Sequence, residues 1–118
     1  MIREIESFLA AFRGILFAAK NERHFRFHLF ATIVVCIAGY YFEINPLQWL
    51  AVINCVAIVT VTEIFNSSIE KLTDMVSPNY NKQAGIVKDL AAGGVLIAAI
   101  ISAIVGGLIF IPFVKQVF

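Results

Sequence analysis

LAAGGVLIAAIISAIVGGLIFIPFV, residues 90–114, contains no charged side chain. A helix needs roughly 20 apolar residues to cross about 30 Å of hydrocarbon, so this run is long enough to span a membrane by itself. Upstream, residues 44–62 form a second uncharged run of spanning length, and residues 27–42 form a third, shorter one. Arg26, at the edge of the short run, can carry its guanidinium outward along an apolar stem, and His28 can sit at the interface, which makes it a third span. The whole chain of 118 residues is 60% hydrophobic and only 14% charged, more apolar surface than the core of a water-soluble domain absorbs. The expected architecture is an all-α, polytopic membrane protein, one domain over residues 1–118.

The formal charge of +1 hides an asymmetry. Arg3, Arg13, Lys20, Arg23 and Arg26 precede the first span, and Lys71, Lys82 and Lys88 lie between the second and third, whereas Lys115 stands alone at the far end. Basic residues accumulate on the cytoplasmic side, so the N-terminus is expected to be cytoplasmic and the C-terminus external. Charged residues recur up to Arg26, so no cleavable signal peptide is expected. Cys36 and Cys55 fall inside apolar runs and read as small hydrophobic residues.

Before the first span, Ile2, Ile5, Phe8, Leu9, Phe12, Ile15 and Leu16 share one side of a 3.6-residue helix, with Arg3, Glu6, Arg13 and Lys20 on another. The pattern suits a helix lying in the membrane surface or packing against the spans, and both leave its basic face near lipid phosphates. A surface helix is therefore expected over about 2–22, with spans over about 27–43, 46–70 and 88–113. Asn45-Pro46 marks an external hairpin with Tyr40, Tyr41 and Trp49 as interfacial anchors, and Ser77-Pro78-Asn79 ends the second span. Gly94, Ala98, Ser102 and Gly106 form a ladder of small residues that lets another helix approach.

Chemistry concentrates at one level. Asn66, Ser67, Glu70 and Asp74 follow Glu63 by three, four, seven and eleven residues, all on one helix face. Glu63 directly follows the apolar run, where an ionised group is costly unless partnered. Lys88-Asp89 opens the third span, ahead of Ala91-Ala92-Gly93-Gly94, and Asn21-Glu22-Arg23 precedes the first, at the same level. A cation beside carboxylates suits a polyphosphate with its metal, and Glu22 with Glu70 would suffice for Mg²⁺, which needs one or two carboxylates plus phosphates and waters. His24 and His28, four residues apart, are a weaker transition-metal pattern. No P-loop, protein-kinase signature, nucleophile elbow or zincin motif occurs. The residues alone leave open a phosphotransferase and a non-catalytic divalent-cation binder.

Asn21-Glu22, then Glu63-Ile64-Phe65-Asn66-Ser67-Ser68-Ile69-Glu70, Asp74, and Lys88-Asp89-Leu90-Ala91-Ala92-Gly93 stand at the spacing of one family over nearly the whole chain. The sequence resembles the prokaryotic diacylglycerol kinase family, which includes the undecaprenol kinases. The resemblance implies a homotrimer with sites shared between subunits, in the bacterial inner membrane. Its implied reaction moves the γ-phosphoryl of ATP, with Mg²⁺, to a lipid hydroxyl at the cytoplasmic face. Diacylglycerol, giving phosphatidic acid, is the first substrate expected and undecaprenol the second; no nucleic-acid partner is expected. By matching position, Glu63 takes the role of general base, Glu22 and Glu70 those of metal ligands, and Lys88 that of a phosphate cation held by Asp89, with Asn66 and Asp74 completing the polar face. Arg3 and Tyr80 are implied for nucleotide or lipid head group, and Arg13 for lipid. His28 stands where diacylglycerol-specific members can carry a carboxylate, and residues 21–29 look closer to the undecaprenol kinase branch.

Overall fold

The computed structural model describes residues 1–118 as four helices and no strand: α1 (Ile2–Asn21), α2 (Arg23–Tyr41), α3 (Pro46–Val76) and α4 (Lys82–Val117). Each boundary has a local cause. Between α1 and α2 a single residue, Glu22, turns the chain with extended backbone at φ −105°, ψ 110° while its N–H still donates to Ala18 O. The Arg26 guanidinium donates to Lys20 O at 2.7 Å and Ala19 O at 3.5 Å, satisfying last-turn carbonyls of α1 that have no helical partner.

At the opposite end, Glu43 sits in the left-handed region at φ 53°, and Asn45 caps α3 reciprocally. Its Oδ1 accepts from Gln48 N–H at 2.8 Å, and Gln48 Oε1 accepts from Asn45 N–H at 3.0 Å, with Pro46 in the first turn. Trp49 closes the hairpin by lying on Gly39, where a Cβ would meet the indole at 2.7 Å. Ile44, Val52 and Ile109 form the buried cluster beneath it, and Phe42 stacks on Phe113 with centroids 5.5 Å apart. α4 starts with Asn81 Oδ1 accepting from Gln83 N–H at 2.8 Å and Ala84 N–H at 3.3 Å.

α3 and α4 pack along each other, α2 packs on α3, and α1 touches α2 and α3 near its C-terminal end. Only 10 of the 118 residues are buried, and Phe30, Ile53, Leu96 and Leu108 point outward at more than half exposure. So much exposed apolar surface is not sustained in water and calls for a cover other than solvent. Hydroxyls inside the apolar stretches bond within their own helix: Thr32 to His28 O at 2.7 Å, Thr60 to Val56 O at 2.8 Å and Thr62 to Ile58 O at 2.8 Å. These three hydroxyls therefore need no water.

Two expectations change. Three spans were expected, but only α3 and α4 are long and apolar enough to cross a membrane on their own. α2 falls short because Arg23, His24, Arg26 and His28 occupy its first two turns. The small-residue ladder of α4 is only partly a packing surface. Ala98 is buried, yet a Cβ at Gly94 or Gly106 would meet nothing within 4 Å. Ser102 and Gly106 instead border a cavity of about 130 Å³ that separates α4 from α2.

Candidate active site

α3 positions the site because it does not stop at the end of its apolar run. At 1.5 Å per residue it is about 46 Å long, well beyond the roughly 30 Å of hydrocarbon. A span starting at Pro46 therefore ends near Glu63, and Glu70 and Asp74 continue on the same helix past the apolar zone. The acidic residues become a column rising from the apolar zone.

Glu63, at the bottom of the column, is 5% exposed. Its Oε1 lies 3.1 Å from His28 Nε2 of α2. One turn up, Asn66 Nδ2 donates to Glu70 Oε1 at 3.5 Å, and Asn66 Oδ1 is buried with no hydrogen-bond partner. Higher still, Lys88 of α4 donates to Asp74 Oδ1 at 2.5 Å. Asp74 and Lys88 border a hollow of about 180 Å³ with Tyr80, Asn81 and Gly85, in which Tyr80 is 94% exposed. On the other flank, Glu22 Oε1 meets Lys71 Nζ at 3.4 Å, and that ammonium lies 4.9 Å from the centre of the Phe17 ring.

The resemblance assigned Asp89 to hold Lys88, and here the structure differs. Neighbours in sequence do not face each other on a helix, and the partner of Lys88 is Asp74, one helix away, while Asp89 is exposed and unpaired. Arg3 and Arg13 remain on exposed parts of α1 with no side-chain contact to the column. Glu4, next to Arg3 in sequence, is taken by the terminal ammonium at 2.6 Å, which holds its carboxyl below the usual carboxylate value. His24 and His28 are part of no group of three or more metal-ligating side chains, and His28 meets Glu63 instead. The pairings of His28 with Glu63 and Lys71 with Glu22 were absent from the sequence reading, which had no signal for the register between α2 and α3.

No three acidic, His or Cys side chains converge into a complete cage. Mg²⁺ needs none, since it takes one or two carboxylates and fills the rest with phosphates and waters. Glu70 and the orphaned Asn66 Oδ1 are hard oxygens one turn apart, which fits; Glu22 would exchange its Lys71 contact for the metal.

The chain is thus an all-helical protein with two helices of membrane-spanning length, one of which carries its carboxylates past the apolar zone to meet a lysine of the other. A sequence profile of the family described as prokaryotic diacylglycerol kinase matches residues 9–110, which include every candidate residue except Arg3. The chain is 36% identical over 110 residues to the undecaprenol kinase of Bacillus subtilis (strain 168), covering 93% of this chain and 89% of that protein. It is 37% identical over 109 residues to a diacylglycerol kinase of Synechocystis, covering 90% of this chain but 61% of that longer protein. It is 29% identical over 94 residues to the diacylglycerol kinase of Escherichia coli (strain K12), covering 80% and 77%. The chain belongs to the prokaryotic diacylglycerol kinase family.

Proposed function

We propose that the protein is an ATP-dependent lipid kinase of the cytoplasmic membrane face. It transfers the γ-phosphoryl group to the hydroxyl of diacylglycerol and gives phosphatidic acid. The observation that carries this reading is the buried carboxylate of Glu63 at the apolar end of a column that continues through Glu70 and Asp74 to Lys88. A lipid hydroxyl arrives from the apolar side and a nucleotide from the polar side, and only a column crossing the boundary serves both.

In the reaction the lipid oxygen forms a bond to the γ-phosphorus, the bond from that phosphorus to the bridging oxygen breaks, and ADP leaves. Glu63 takes the hydroxyl proton. Lys88 faces phosphate oxygens when it exchanges part of its contact with Asp74, and Tyr80 borders the same hollow. Glu70 and Glu22, with Asn66, would hold Mg²⁺, which would supply charge neutralisation on the phosphates. Phosphoryl transfer depends mainly on positioning and charge compensation, so no P-loop is required.

α2, α3 and α4 cross the inner membrane, with the N-terminus inside and the C-terminus outside. The uncovered apolar stripe of α1, in which Phe8 and Phe12 are 68% and 61% exposed, lies in the membrane surface. Three copies form the working unit, with sites shared between subunits. Undecaprenol is the second substrate reading, supported by the near full-length match to the Bacillus subtilis protein. Purified protein in mixed micelles with ATP and Mg²⁺, given each lipid in parallel, is expected to show the higher kcat/KM on diacylglycerol. Higher kcat/KM on undecaprenol reverses the ranking, and transfer to neither lipid ends the kinase reading.

A further inference from the structure

Glu63 is the one acid of the chain with less than a tenth of its surface exposed, and His28 is its only polar side-chain partner. At 3.1 Å between Nε2 and Oε1 the imidazole and the carboxylate are in ion-pair range, with the ring N–H not yet aligned on the oxygen. An imidazole can be the donor whether neutral or charged. No other charged group competes for this carboxylate. Lys71 is taken by Glu22 and Lys88 by Asp74, while Arg26 donates to carbonyls of α1. α4 carries no charged residue between Asp89 and Lys115, and Cys55 is the remaining titratable group around the cavity that His28 borders. The ring itself is braced edge-on by Phe27, with centroids 5.5 Å apart at 79°. On its other side is the open cavity between α2, α3 and α4, so the ring is oriented by Glu63 and Phe27 and not by tight packing all round.

We propose that His28 is a positioning residue for the reaction base: from its 3.1 Å contact, Nε2–H aligns on Glu63 Oε1 in the reacting complex, fixes the direction of the carboxylate and leaves Oε2 for the lipid hydroxyl proton. The inference rests on the kinase reading of Glu63. A carboxylate taken out of water without a partner has no preferred direction, whereas one donor aimed at one of its oxygens fixes its orientation. Near-attack geometry is sensitive to displacements of this size.

The test uses the full chain in lipid, with His28→Leu, His28→Gln and the double variant His28→Leu/Glu63→Gln. His28→Leu is expected to lower kcat about 10- to 100-fold with KM for ATP within about twofold, and His28→Gln, which keeps an N–H donor, to recover most of that loss. In the Glu63→Gln background the Leu change should cost less than about twofold, because the carboxylate it positions is gone. NMR of the His28 ring nitrogens supplies a readout independent of turnover, and should shift in Glu63→Gln but not in Glu70→Gln. An unchanged kcat in His28→Leu, an equal loss in the Glu63→Gln background, or ring-nitrogen resonances blind to Glu63→Gln each overturn the proposal. If His28→Leu does not fold, the resonances and His28→Gln decide: a Gln variant more than about 100-fold slower than wild type counts against it. If the unmodified protein phosphorylates no lipid, the kinase reading fails, while the NMR arm still reports whether His28 bonds Glu63.

Discussion

Glu63 and Glu70 lie on one helix face, two turns apart, in different surroundings. Glu63 is buried and held by a histidine; Glu70 is exposed and contacts an amide. They are therefore expected to fail differently. Glu63→Gln keeps shape and removes the base, so kcat should fall by roughly a hundredfold with nucleotide affinity nearly intact and no rescue by extra Mg²⁺. Glu70→Gln should instead raise the Mg²⁺ concentration needed for half-maximal rate. Measuring Mg²⁺ dependence for both variants checks the assignment, and a metal defect confined to Glu63→Gln reverses it. The pairing of Lys88 with Asp74 gives a second contrast. Asp74→Asn should raise KM for ATP several-fold because the ammonium loses the carboxylate that aims it, while Asp89→Asn should change KM less than twofold. The opposite order in a nucleotide titration would restore Asp89 as the holder of Lys88.

At the scale of elements, the hairpin between α2 and α3 is the most tightly specified junction, with its reciprocal cap at Asn45 and Gln48 and the indole of Trp49 on Gly39. A methyl group at Gly39 would have to displace Trp49, so Gly39→Ala should lower stability by about 1–3 kcal/mol, read as a lower unfolding midpoint in detergent. An unchanged midpoint would show that the indole moves aside freely. The α3–α4 connection carries Tyr80 and leads to Lys88, and the proposed chemistry needs it on the ATP side. Reporter fusions after Asn45 and after Val117 should read external, and a fusion after Asn79 cytoplasmic. An external Asn79 would separate the site from ATP. α2 is the element on which composition and structure part: its basic first turns keep it from passing as a span by hydropathy, yet the same turns supply Arg26 to the α1 junction and His28 to Glu63.

At the scale of the whole molecule, the single chain extends 53 × 43 × 21 Å and leaves the apolar stripe of α1 and the outer faces of α3 and α4 uncovered. Lipid and further copies of the chain are the proposed cover. If sites are composite, two inactive variants that damage different parts should complement in one oligomer. Glu63→Gln mixed with Lys88→Ala is expected to regain activity above either variant alone in co-purified mixed oligomers. Absence of complementation for this pair and for Glu22→Ala with Glu70→Ala would argue for sites contained within single subunits.

The sequence by itself determined the helical class and the shared helix face of the candidate residues. Long uncharged runs admit only helices in hydrocarbon, since backbone groups there must bond within their own segment, and a spacing of three, four and seven is enough to align Glu63, Asn66 and Glu70. Period and hydropathy are local properties, so a linear reading recovers them. Which side chain meets which across helices was decided by the tertiary structure alone. His28 reaches Glu63, Lys71 reaches Glu22, and Lys88 bonds Asp74 instead of its neighbour Asp89. Those pairings depend on the register and rotation of one helix against another. Register here follows from how Trp49 seats on Gly39, how Glu22 turns the chain and where α3 and α4 touch, and none of these repeats with a period that can be counted along the chain.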